Sequence, residues 1–155
     1  MSVFFIERDE IFSGIVSVIE KHVMMKVHQE FNALFRDWFV LLMGTDSLSA
    51  RIDDEFTPVV EANGFEIQVE NLSGGEKTSC ALAYRLALNM VINSLVSTIR
   101  TKDLLILDEP TDGFSAEQLD KLRDVLVQLQ LPQIILVSHE DKIESFVDNV
   151  LRFKK

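Results

Sequence analysis

Cysteine and glycine are scarce in this 155-residue chain, which holds one of the first and six of the second. A single cysteine excludes an intrachain disulfide framework and any multi-cysteine metal site. Cys80 lies in an Ala/Leu-rich stretch and reads as a small core residue. Basic residues are also in deficit, 15 Lys and Arg against 25 Asp and Glu, for a net charge of −10. The chain by itself is therefore not expected to present a broad phosphate-binding face to nucleic acid. That does not exclude membership of an assembly whose basic face lies on another chain. No apolar run approaches the roughly 20 uncharged residues a membrane span requires. The first residues, "MSVFFIERDEIF", are acidic where a signal peptide is basic, so a cytosolic protein is expected. The six glycines precede Ile15, Thr45, Phe65, Gly75, Glu76 and Phe114, never a lysine. The phosphate-cradling loop G-x-x-x-x-G-K-[ST] is thus missing from these residues.

What is present has the texture of a folded α/β protein, 47% hydrophobic with mixed charges. Residues 9–43 carry one long helical pattern, with Phe12, Val16, Ile19, Val23, Val27, Phe31, Leu34, Trp38 and Leu41 spaced by threes and fours. Gly44 ends it. The length suggests a coiled-coil arm or bundle helix. His22 and His28 on it receive no role, and the apolar run "FRDWFVLLM" is expected to pack against the rest of the chain more than against a partner. Short strands follow over 48–70, with a turn at "ANG" and the alternating Phe65, Ile67, Val69. A helix opened by Gly74 and Gly75 spans about 75–99. "DLLILDE" reads as a strand buried on both faces, "SAEQLDKLRDVLVQLQ" as an amphipathic helix, and "QIILVSHE" as a second buried strand. A short helix near "EDKIESF" and a last strand near "NVLRF" complete the pattern. Strand, helix, strand at this spacing implies a right-handed parallel crossover.

In such sheets ligands bind beyond the carboxyl ends of the strands. The first end delivers Asp108, where a nucleotide-bound magnesium is held, and Glu109, placed to polarise an attacking water. The second delivers Ser138 and His139, a histidine able to donate to a terminal phosphate oxygen or to hold that water. The glycine-opened helix supplies a third element. A helix N-terminus offers unpaired N–H groups and about half a positive charge. Ser73 adds a hydroxyl, and Gly74 and Gly75 let an anion approach the backbone. Ser73 and Glu76 also match a capping box, and the two roles are compatible. The chain therefore holds a metal-binding acid and a water-activating base without the main phosphate clamp, so it is expected to furnish part of a nucleotide site.

"LSGGEK", "LLILDEPT" and "ILVSHE", in that order, resemble the signature motif, Walker B strand with D-loop, and switch histidine of the ATP-binding-cassette superfamily. The glutamate in "LSGGE" and the long upstream helix resemble the SMC-type ATPases, and "DEPT" with "ALAYRLAL" resembles the Rad-fifty family of double-strand-break-repair ATPases. The resemblance covers residues 65–155 most firmly. It implies a C-terminal lobe of an ABC-type head with a parallel sheet core, a small β segment and a coiled-coil-base helix. Residues 1–44 would be the arm and base, and 45–155 the half-head.

It further implies ATP and Mg2+ as ligands, with the metal at Asp108 and catalysis by Glu109 and His139. Ser73, Gly74, Gly75 and Glu76 would cap the γ-phosphate of ATP bound to an opposite subunit, with Asp112 in the D-loop. The implied partners are the N-terminal half carrying the phosphate loop, a second head, DNA and an Mre-eleven-type nuclease. The location would be nucleoid-associated in a prokaryote or nuclear in a eukaryote. Family D-loops end in a Leu-Asp pair, and Phe114 and Ser115 stand there instead. Arg85 is a candidate relay of nucleotide state or a structural arginine. The rival readings are a transporter cassette, an SMC chromosome-organising head, and a non-catalytic interaction domain on the same fold; intact Asp108, Glu109, Ser73 and His139 speak against the last.

Overall fold

The computed structural model describes residues 6–45, 47–95 and 103–153, with side chains from residue 12 onward. It begins with a long helix α1 (Ile6–Met43). A three-stranded antiparallel sheet follows, β1 (Leu48–Ile52), β2 (Pro58–Ala62) and β3 (Phe65–Ile67), in that spatial order. Helix α2 (Gly74–Leu95) leads to β4 (Leu104–Asp108), helix α3 (Ala116–Leu129) and β5 (Gln133–Val137). β4 and β5 pair in parallel with Leu105 opposite Ile134 and Asp108 opposite Val137. The expected continuation of α2 to residue 99 lies outside the described residues.

Sequence chemistry sets each boundary. Gly44, at φ +65, ends α1 with its N–H donating to the Val40 carbonyl at 2.9 Å, a left-handed stop that glycine takes without strain. Asn63 and Gly64, at φ 52 and 81, make the tight turn between β2 and β3 that such a pair favours. Ser115 caps α3 in a full capping box with Gln118. Between β1 and β2 the Asp53 carboxylate accepts the N–H groups of Glu55 and Thr57 at 2.9 and 2.8 Å. Those bonds, Thr57's first, hold its pKa below the ordinary value. Glu61 and Glu66 stand opposite one another on β2 and β3, and Arg51 on β1 pairs with both carboxylates, relieving a like-charge contact.

The core joins α1 to everything else. Phe31, Phe35, Trp38, Phe39 and Leu42 are buried, and α2 meets them with a face rich in small residues, Ser79, Cys80, Ala83 and Ala87. Tyr84 sits edge-on to Phe31 and Phe35, and its hydroxyl donates to the Phe56 carbonyl at 3.0 Å. Two α1 side chains secure the small sheet. The Asn32 carbonyl oxygen accepts the Ile52 N–H at 2.8 Å, and His28 Nε2 bonds the Asp53 carbonyl at 2.8 Å. His28, given no role from the sequence, is thus a structural residue. Burial also pushes the Cys80 thiol up to about 11, which makes it inert at neutral pH.

Three expectations need correction. The buried stripe of α1 includes Phe35, Phe39 and Leu42, while Leu34 and Leu41 are only partly buried and Phe12, Val16, Ile19 and Val23 are exposed. The strands β4 and β5 are not covered on both faces. Leu105 and Leu107 point inward, while Leu104, Ile106, Ile135 and Val137 are exposed. No strand forms at "NVLRF"; those residues run irregularly, with Leu151 and Phe153 exposed. Both latter departures have one cause: no neighbour among the described residues supplies the missing cover or pairing. Among these residues no helix is long and apolar enough to cross a membrane.

Truncating Phe39, which is fully buried, is expected to cost about 3–5 kcal/mol, whereas Phe12→Ala, at a site 70% exposed, should change stability by less than about 0.5 kcal/mol. Denaturant unfolding of the two variants checks this, and equal losses would contradict the assignment of the core.

Candidate functional site

The carboxyl ends of β4 and β5 are bound to each other. Glu109 leaves β4 at φ 44, a left-handed conformation that costs a residue with a side chain roughly 1–2 kcal/mol. In return its N–H donates to the Val137 carbonyl at 2.8 Å, and its carboxylate turns toward the loop after β5. There His139 Nδ1 lies 2.9 Å from Glu109 Oε2. Behind this pair Thr111, buried, shares a hydroxyl–hydroxyl contact of 3.3 Å with Ser138, whose oxygen accepts the Glu140 N–H at 3.1 Å.

The bond from Glu109 and its charge hold His139 above the ordinary imidazole value, with Glu140 and Asp112 adding to the effect. Both partners are open to water, at 72% and 43% side-chain exposure. Asp108 is exposed on the outer face of β4, the face it shares with Leu104 and Ile106 by strand alternation. Among the described residues no three His, Cys, Asp or Glu groups come together as a metal cage. Asp108 is a lone carboxylate there, so a metal held by it would need its remaining ligands from elsewhere.

A second cluster lies at the start of α2. Glu76 Oε2 accepts the Ser73 N–H at 2.7 Å, and Ser73 Oγ accepts the Glu76 N–H at 3.4 Å, so the capping box is formed. Ser73 and Gly74 are exposed. Gly75 is buried, and the reason for its missing side chain is internal. A Cβ there would stand 2.5 Å from Gln118 Oε1 and 3.0 Å from the Gly113 carbonyl oxygen.

Asp112 belongs to both clusters, because its carbonyl accepts the Thr78 hydroxyl at 2.7 Å. Phe114 packs partly into the core and Ser115 caps α3, so the two residues that depart from the family D-loop serve this chain's own packing. Arg85 is exposed, farther along α2. Sequence reasoning missed Thr78, Thr111 and Gln118. Only Gln118 had a readable signal, as the partner of Ser115 in a second S-x-x-Q capping box.

The His139 pKa is raised in the folded chain, so the pair's contribution to stability is complete below the ordinary value of 6.5 and is lost as pH rises through the raised value. Imidazole NMR titration of the isolated chain should place His139 above 6.5, and Glu109→Gln should lower it. An unchanged titration in the variant would mean that the pair does not form in solution.

No family model matches the chain. Among curated proteins, a DNA double-strand break repair Rad50 ATPase of Pyrococcus abyssi is 41% identical over 93 residues, 59% of this chain. The protein of the same name in Methanopyrus kandleri is 31% identical over 150 residues, 94% of this chain. The chain spans 10% of the length of the first relative and 16% of the second. Among solved structures, a chain from work on "ATP-driven dimerization and DNA stimulated activation of SMC ATPases" superposes with a TM-score of 0.65 at 20% identity, over 84% of this chain and 80% of that one. The Smc head domain with a coiled coil and joint from Pyrococcus yayanosii gives 0.66 at 20% identity, over 92% and 28%. Sequence similarity to the Rad50 proteins and the SMC head fold, together with the long base helix and parallel strand pair, make the chain a C-terminal head segment of the Rad50/SMC-like kind.

Proposed function

We propose that this chain forms one wall of a composite ATP-hydrolysing site, the other walls coming from a segment with the phosphate loop and from a second head. The observation that carries the reading is the Glu109–His139 pair at the joined strand ends, beside an exposed Asp108. The Glu109 carboxylate takes the proton from the water that attacks the terminal phosphate of ATP. His139 orients that carboxylate and, protonated, donates to a phosphate oxygen. Asp108 would hold magnesium, which neutralises charge on the β- and γ-phosphates when bound. Ser73 and Gly74 present a hydroxyl and helix-end N–H groups to the γ-phosphate of ATP bound by the opposite head. Glu76 fixes that helix end by its bond to Ser73, and Gly75 lets the D-loop with Asp112 lie against it.

Exposed Leu104, Ile106, Ile135 and Val137 give the phosphate-loop half an apolar sheet face to cover. On this reading residues 1–44 are the coiled-coil arm and its base, and 45–155 the half-head. Exposed Phe12, Ile15, Val18, Ile19, Met24 and Met25 suit a returning helix and an Mre-eleven-type nuclease. DNA would be bound by the assembled heads, in the nucleoid or the nucleus. The Rad50 name of the relatives and the ATP-driven dimerisation named for an SMC neighbour support this assembly.

The chain alone is expected to turn over no ATP, and mixing it with the phosphate-loop half should restore turnover. In that mixture Glu109→Gln should keep ATP binding, abolish hydrolysis and accumulate a dimer by light scattering. Ser73→Arg should abolish the ATP-driven dimer while leaving the isolated chain folded. Turnover by the chain alone would contradict the composite site, and unchanged turnover in Glu109→Gln would remove Glu109 as the base.

A further inference from the structure

The start of α2 and the loop after β4 are fastened by contacts of three kinds. The Thr78 hydroxyl donates to the Asp112 carbonyl at 2.7 Å. Gly113, at φ +75, lies so close to α2 that a Cβ on it would stand 3.2 Å from the Gly74 carbonyl carbon and 3.3 Å from the Gly75 nitrogen. The Gln118 side chain spans the junction. Its Oε1 accepts the Ser115 N–H at 3.0 Å, and its Nε2 donates to the buried Ser79 hydroxyl at 3.3 Å. At its other end the same loop is pinned by the Glu109 N–H on Val137 and by Thr111 on Ser138. A loop held at both ends and in the middle cannot shift without α2 shifting as well.

We infer that Thr78 and Gln118 are positioning residues that lock the helix end bearing Ser73 to the loop bearing Glu109, so that phosphate capture at one site fixes the base of the other. The inference rests on the proposed ATP reading. Ser73 is assigned to the ATP of the opposite head and Glu109 to the ATP of its own, so a rigid link between them couples two sites within one chain. Neither Thr78 nor Gln118 need touch nucleotide. Their effect is geometric: a displacement of about 1 Å at a reacting group costs on the order of a hundredfold in rate.

Thr78→Val keeps the shape and removes the hydroxyl; Thr78→Ser keeps the hydroxyl. In the chain reconstituted with the phosphate-loop half, Thr78→Val should lower kcat by roughly ten- to a hundredfold with the KM for ATP nearly unchanged, and Thr78→Ser should restore it. The double variant with Gln118→Met should fall no further than the weaker single variant, since the two act as one lock. In the isolated chain, with no nucleotide, Thr78→Val should speed amide exchange at Phe114, whose N–H donates to the Thr111 carbonyl, by about tenfold. Unchanged exchange at Phe114 overturns the lock by itself. Wild-type kcat in Thr78→Val, alongside an active wild type, overturns its part in the reaction. An inactive wild-type mixture instead counts against the composite ATP site and removes the catalytic half of the inference with it.

Discussion

The constraint on which the site's geometry depends is one of backbone against backbone, where Gly113 meets Gly74 and Gly75. Glycine at a helix entrance is costly, roughly 1 kcal/mol each against alanine where it counts as helical. Here the cost has two separate causes. Gly74 is exposed and leaves the helix end open, while Gly75 is buried beneath Gln118 and the loop carbonyl. Two adjacent, identical residues therefore differ in surroundings, Gly74 open to solvent beside Gly113 and Gly75 packed under Gln118. The close approach also sets the distance between the two clusters, since a side chain at Gly75 or Gly113 would force α2 and the loop apart.

Much of the fold follows from patterns that are local in sequence. The Ser73 and Ser115 capping boxes, the Asn63–Gly64 turn, the Gly44 stop and the parallel pairing of β4 with β5 all depend on residues a few positions apart or on a strand–helix–strand rhythm. The failures lie where non-local partners decide. On α1 the apolar residues are so dense between Phe31 and Met43 that several stripes fit the spacing. The aromatic ring of Tyr84 and the small face of α2 select the one through Phe35 and Phe39. The Thr78–Asp112 bond joins residues 34 positions apart through a backbone carbonyl, and no side-chain pattern announces such an acceptor. The placement of Asp108, Glu109 and His139 at the strand ends was readable because each stands within two residues of an apolar run. Their pairing needed the left-handed turn at Glu109, which a glutamate does not advertise.

The apolar character of β4 and β5 was read correctly, and its cover was not. Four consecutive apolar residues promise burial on both faces, yet Ile106 is 55% exposed where Leu107 is fully buried. Burying one such side chain is worth about 1.5–3 kcal/mol, so the outer face forgoes several such contributions. Asp108 shares that face. An acid suited to a metal and a row of uncovered aliphatic side chains thus point in one direction. The irregular run through Leu151 and Phe153 likewise leaves apolar groups in water.

These two deficits are independent in kind. One is chemical, carboxylates at the strand ends with no phosphate loop in the sequence; the other is physical, apolar strand surface on which none of the described residues packs. A nucleotide site that drew its phosphate clamp from a distant surface would explain only the first. A segment that packs on the outer face of β4 and β5, with its phosphate loop beside Asp108, accounts for both at once. Burial by that segment would also dry the surroundings of Glu109 and His139, now exposed. In a drier site their mutual attraction and their action on a water would strengthen as the local dielectric falls. Cover and catalysis would then arrive with the same partner, so the uncombined chain would hold its base and its histidine in register without being able to use them.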